Sequence, residues 1–170
     1  MRSETQLKRD EFITGLIESR KELLTAALAL SAKDRDEIFL GVWSVKDLLA
    51  HFVGWDFTNL QAAQEILTGQ LPTFFAYKDR DWKTYNARLV AQYKTDDFDE
   101  LLSAIEGSHQ KLIDFLRTIP AEEIDRDQGL RSGRYKVTIA RLLQLEIKDA
   151  QLHYQQIQAF RQKRSAQTEG

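Results

Sequence analysis

Apolar residues recur at intervals of three and four along almost the whole chain, the period of a helix buried on one side. A first helix spans roughly Thr5 to Leu30, with Ile13, Leu16, Ile17, Leu23, Leu24, Ala27 and Leu28 as its stripe. A second opens at Ser44, whose hydroxyl is placed to cap the free N–H groups of the first turn. Asp47, at the third helical position, makes a weak capping box, and its charge suits the positive end of the helix. Val45, Leu48, Leu49, Phe52, Trp55 and Leu60 carry this stripe to about Leu67, where Gly69 and then Pro72 stop it.

A loop from Gly69 to Lys78 follows, holding Phe74, Phe75 and Tyr77. Asp79 begins a short helix with Trp82, Asn86, Leu89, Val90 and Tyr93 on one face. The third long helix starts at the Asp97-Phe98-Asp99-Glu100 box and carries Leu101, Leu102, Ile105, His109, Leu112, Ile113 and Leu116 to a stop before Pro120. The stretch from Ala121 to Lys136 is polar, with Gly129 and Ser132-Gly133 as turn signals, and reads as a small hairpin or an irregular loop. The last long helix runs from about Thr138 to Arg161. Residues 1–161 read as a single domain and Gln162 to Gly170 as a frayed polar tail. Strand-like alternation is confined to Arg134–Val137. The expected fold class is therefore all-α, a four-helix bundle with a short helix inserted in the connection between helices two and three.

Composition narrows the function classes. A net charge of −2 and a pI near 6.0 supply no basic face, so nucleic acid is not an expected partner. No apolar run approaches the ~20 residues a membrane span needs, so no membrane partner is expected. The first residues, Met1 to Gln6, lack the apolar core and cleavage site of a signal peptide, which points to a cytoplasmic location. The absence of cysteine excludes disulfides, thiolate ligands and a cysteine nucleophile, so any thiol chemistry would come from a small molecule.

The chemistry-bearing residues concentrate on two helices. His51 lies on the apolar side of helix two, between Leu48 and Trp55. Asp149 and His153 stand four apart on the last helix and so share a face. Two imidazoles and a carboxylate form a minimal divalent-metal site with room for water or substrate. The competing reading is a buried polar cluster that ties the helices together. Leu142, Glu146, Asp149, Ala150, His153 and Ile157 follow one stripe, so ionisable groups face where a core belongs and need partners. A cation is one such partner; Arg141 and Lys148 are others. Glu146 reads as a salt-bridge acceptor, as a fourth ligand, or as the catalytic base for a bound water. His109 reads as a core histidine or, with Trp55, Trp82 and Asn86, as part of a pocket wall; Phe74, Phe75 and Tyr77 add aromatic surface nearby.

The segment Trp43-Ser44-Val45-Lys46-Asp47-Leu48-Leu49-Ala50-His51 resembles the helix start of the DinB-like superfamily. Asp81-Trp82-x-x-x-Asn86, Ser108-His109-x-x-Leu112 and Ala121-Glu122-Glu123 narrow the resemblance to its ClbS/DfsB branch. The resemblance implies an up-down-down-up bundle with a metal at one end, its ligands falling by position on His51, Asp149 and His153. Most of the wider superfamily has histidine where Asp149 stands, and the branch includes members thought to work without metal. Zinc, nickel or iron suits the donor set. The activities implied are thiol-dependent transfer or isomerisation in the superfamily, and opening of a reactive cyclopropane by a self-resistance protein in the branch. Together these lead to two expectations. One is a hydrolase or transferase acting on a reactive electrophilic small molecule, with or without metal. The other is a non-catalytic protein that sequesters a small molecule, with a homodimer compatible with either.

Overall fold

The computed structural model describes residues 1, 3–76 and 81–169. Among them, four long helices form the body: α1 (Glu4–Leu28), α3 (Val45–Leu67), α5 (Phe98–Thr118) and α6 (Ile139–Thr168). A short α2 (Ala32–Asp36) and an antiparallel hairpin, β1 (Ile38–Leu40) with β2 (Trp43–Ser44), connect α1 to α3. A 3-10 turn over Thr73–Ala76 and helix α4 (Trp82–Tyr93) lie between α3 and α5. A second hairpin, β3 (Arg131–Ser132) with β4 (Tyr135–Lys136), precedes α6.

Cross-helix contacts fix the directions. Asp56 and Ser108 meet, as do Lys46 and the carbonyl of Asp96, so α3 and α5 advance together. Arg20 reaches Glu146 and Arg164 reaches Asp34, so α1 and α6 also run parallel. His51 lies by Asp149 while Asn59 lies by Glu146, which sets α3 against α6. The order is up-down-down-up. Two parallel neighbours in sequence need a return path, and α4 supplies it. It packs antiparallel on α3, through Thr58 with Tyr85 and Trp55 with Asn86, and ends beside the start of α3, where Lys94 pairs with Asp47 at 2.8 Å. Gly54 permits the approach: a Cβ there would stand 2.7 Å from the Cβ of Leu89.

The caps are where the sequence places them. Ser44 accepts from the Asp47 N–H at 3.2 Å while Asp47 accepts from the Ser44 N–H at 2.8 Å. Asp97 caps α5 through the N–H groups of Asp99 and Glu100. The expected start of the short helix at Asp79 lies outside the described residues, as does Tyr77; the helix described is capped by Asp81, which accepts from the Thr84 N–H.

Three features differ from expectation. The region between α1 and α3 folds into α2 and the β1–β2 hairpin, turning at Gly41 with φ of 60°. Helix α6 continues past Arg161 to Thr168, because Phe160 packs on Phe39 of the hairpin and Arg164 pairs with Asp34 and Glu37. In α1 the apolar residues Ile17 and Leu28 are exposed, and Arg20 takes the inward position between Leu16 and Leu23.

That arginine belongs to a polar layer that divides the core in two. One apolar cluster holds Leu16, Ile66, Leu112 and Leu143; the other holds Leu23, Phe52, Ile105 and Ala150. Between them each long helix contributes buried polar side chains: Arg20 from α1, Asp56 and Asn59 from α3, Ser108 from α5 and Glu146 from α6.

Candidate functional site

The charges of the polar layer are paired. Arg20 donates to both oxygens of Asp56, at 2.9 and 2.8 Å, and to Glu146 at 3.2 Å. Ser108 donates to Asp56 at 2.7 Å, and Asn59 donates to the second oxygen of Glu146 at 3.2 Å. The inward carboxylate of the last helix therefore finds its cation on α1. Neither alternative from the sequence fills that role: Arg141 lies over the Tyr135 ring and Lys148 is exposed. Burial pushes the Glu146 carboxyl up; Arg20 pulls it down, but the charges of Asp56 and Asp149 help leave it raised.

One turn further along α6, His51, Asp149 and His153 converge. His51 Nε2 stands 3.2 Å from one Asp149 oxygen and His153 Nε2 stands 3.4 Å from the other. One donor atom from each lies within 4.8 Å of the others. Both imidazoles are buried, while the Asp149 side chain is 37% exposed and opens the cluster to solvent. Each histidine is oriented by its surroundings. Trp43, delivered by the hairpin, packs on His51 with centroids 5.0 Å apart, and Gln156 Oε1 lies 2.6 Å from His153 Nδ1.

The donor set fits a divalent cation. Bonds of about 2.1 Å in a tetrahedron separate ligand atoms by about 3.4 Å, the scale of the two nitrogen–oxygen distances here, which run to different oxygens of Asp149. Gln156 Oε1 accepts from His153 Nδ1, which leaves Nε2 as the ring atom that faces the carboxylate. Burial holds the His51 pKa below its usual value despite the neighbouring carboxylate, which keeps that ring in the neutral, ligating form. Burial alone would raise the Asp149 carboxyl, but hydrogen bonds from His153 and His51 and their charges hold it well below the usual range.

Beside the cluster opens a cavity of about 420 Å³, within the size range of small-molecule sites. His51, Asp149 and Glu146 reach its polar side, and Trp55, Phe74, Phe75 and Trp82 form an aromatic wall. Trp55 packs edge-on against Phe74 at 5.5 Å between centroids, and Trp82 lies 5.7 Å from Phe74. Trp55 donates its indole N–H to Asn86 at 2.8 Å. The cavity lining includes Trp55, Trp82 and Asn86 but not His109. His109 sits behind Asp56, 4.0 Å from that carboxylate, because α5 packs on the far side of α3 from the cavity. Sequence reasoning misses Arg20, Asp56 and Asn59 as site residues; the available signal is Arg20 at an inward position of the α1 stripe.

The sequence model of the DinB superfamily matches residues 16–157. The chain belongs to the DinB superfamily. No curated protein matches it. Several solved structures share the fold of this DinB-superfamily chain. The colibactin self-resistance protein ClbS, crystallised in complex with a double-stranded DNA, superposes with a TM-score of 0.76 at 15% identity, over 91% of this chain and 95% of that one. An uncharacterised protein from Escherichia coli UTI89 gives a TM-score of 0.72 at 13% identity, over 92% and 94% of the two chains. A protein from Streptococcus pneumoniae gives 0.75 at 10% identity, over 91% and 90%. No helix among the described residues is long and apolar enough to cross a membrane.

Proposed function

We propose that this DinB-superfamily protein is an enzyme that hydrolyses, or transfers a group to, a reactive electrophilic small molecule held in the aromatic cavity. The observation that carries the reading is the convergence of His51, Asp149 and His153 at the edge of that cavity, with Glu146 on the same wall. His51, Asp149 and His153 are the residues that would hold a divalent cation. When bound there, such an ion supplies Lewis acidity to an oxygen of the substrate.

The remaining steps belong to the chain itself. Trp55, Phe74 and Trp82 exclude water from one face of the ligand and position its apolar body. Glu146, held by Arg20 and Asn59, has its carboxyl raised to about 8 by burial, and in its deprotonated form would take a proton from the attacking nucleophile. Asp149 keeps its negative charge across the neutral range and stabilises positive charge developing near His51 and His153.

The test is turnover. Incubated with an epoxide or a strained cyclopropane in large excess, the protein should release many equivalents of opened product, and Glu146→Gln should slow this at least a hundredfold. Product that stops at one equivalent, unchanged by Glu146→Gln, would mark a sequestering protein instead. The double-stranded DNA in the ClbS structure belongs to that protein. The reading here takes a small molecule as the partner, and retention of a double-stranded oligonucleotide at physiological salt would count against it.

A further inference from the structure

Asn86 is the lining residue whose hydrogen-bonding orientation chemistry alone decides. An indole N–H only donates, so the atom 2.8 Å from Trp55 Nε1 must be the amide oxygen of Asn86. The amide nitrogen is thereby turned the other way. It has no hydrogen-bond partner among the described residues, and Asn86 lines the cavity half-buried, on the helix that also brings Trp82 to it. A pair of N–H donors is thus set into an aromatic wall and locked by its neighbour.

We propose that Asn86 is a specificity-determining residue that binds a carbonyl oxygen of the ligand, and that the ligand class is a flat conjugated amide or related carbonyl compound. Two features favour this class. Trp55, Phe74 and Trp82 offer a wall for a planar body. The free donors of Asn86 call for an acceptor, and a ligand that covers them without supplying one leaves them unpaired. The inference deepens the proposed function, resting on the same cavity, and names the group by which the electrophile is held.

A matched pair of probes tests it. Acetanilide and N-ethylaniline share an aryl amine skeleton and differ in the carbonyl. The chain has three tryptophans, so its indole N–H resonances report in NMR where each probe binds, on the protein as purified and without turnover. Acetanilide should shift the Trp55 and Trp82 indole signals and bind about tenfold more tightly than N-ethylaniline, the worth of one ordinary hydrogen bond. Asn86→Asp keeps an oxygen for Trp55 but replaces the N–H donors by an acceptor, and should abolish that preference. Equal binding of the two probes, no shift at either indole, or a preference that survives Asn86→Asp overturns the proposal. If Asn86→Asp fails to fold, as read by its helicity, the wild-type comparison decides alone. Failure of electrophile turnover with the tenfold preference intact would remove the enzymatic reading and leave this one standing.

Discussion

Arg20 grips Asp56 through two parallel hydrogen bonds of 2.9 and 2.8 Å, in a layer where neither side chain exceeds 4% exposure. The same guanidinium reaches Glu146 on α6, so one residue of α1 joins three helices and orients a carboxylate of the cavity. A buried ion pair of this geometry adds little net stability over an apolar replacement, but breaking it leaves uncompensated charge.

Arg20→Met should therefore destabilise the fold by about 3–5 kcal/mol in urea unfolding, since Asp56 and Glu146 both lose their cation. Replacing Asp56 by Leu in the same chain should recover part of that loss, because one buried charge goes with it. A loss below about 1 kcal/mol for Arg20→Met alone would show that the layer is solvated rather than paired.

The α3–α4 contact can be tested at Gly54. A methyl group added there would meet the Leu89 Cβ at only 2.7 Å, so Gly54→Ala must push α4 outwards. Overpacking of this kind costs about 1–3 kcal/mol. Because α4 carries Trp82 and Asn86, ligand binding in the cavity should weaken along with stability. Unchanged probe affinity in a destabilised Gly54→Ala protein would separate the two effects and count against α4 as a rigid wall.

His109 makes stability depend on pH. Burial, with the Arg20 charge adding to it, pushes this imidazole down to about 4, while Asp56 pulls the other way. The folded state then binds fewer protons than the unfolded chain between that value and the ordinary histidine range near 6.5. Its contribution to stability is complete above about pH 6.5 and is lost progressively as the pH falls towards 4. Glu146, raised by burial, works in the opposite sense, so the effect is read as a difference. Relative to His109→Leu, the wild type should lose about 2 kcal/mol on going from pH 7 to pH 5. Parallel pH profiles for the two proteins would contradict the placement of His109 behind Asp56.

Much of this architecture is written in local signals. Ser44 and Asp47 announce the start of α3, Asp97 that of α5, and the inward stripe of α6 already contains Glu146 and His153. The convergence of His51 with Asp149 and His153 is legible because two helices with inward histidines leave few other arrangements. Arg20 and Asp56 are not legible in that way. Each falls on an inward stripe where a charge is not expected, and only their pairing across 36 residues, which no local pattern shows, makes burial tolerable. The β1–β2 hairpin is hidden for a different reason. Ile38-Phe39-Leu40 is too short a run to separate from helix by periodicity, and the left-handed turn at Gly41 is its main local mark.

The central claim is that His51, Asp149 and His153 hold a divalent cation. Elemental analysis of protein purified without a histidine tag tests it most directly, with Asp149→Ala and His153→Ala prepared in parallel and their helicity checked. About one equivalent of zinc, nickel or iron per wild-type chain is expected, falling to background in both variants while they remain folded. Background metal in the wild type, even after incubation with these ions, would contradict the claim and leave the cluster as a structural tie between α3 and α6.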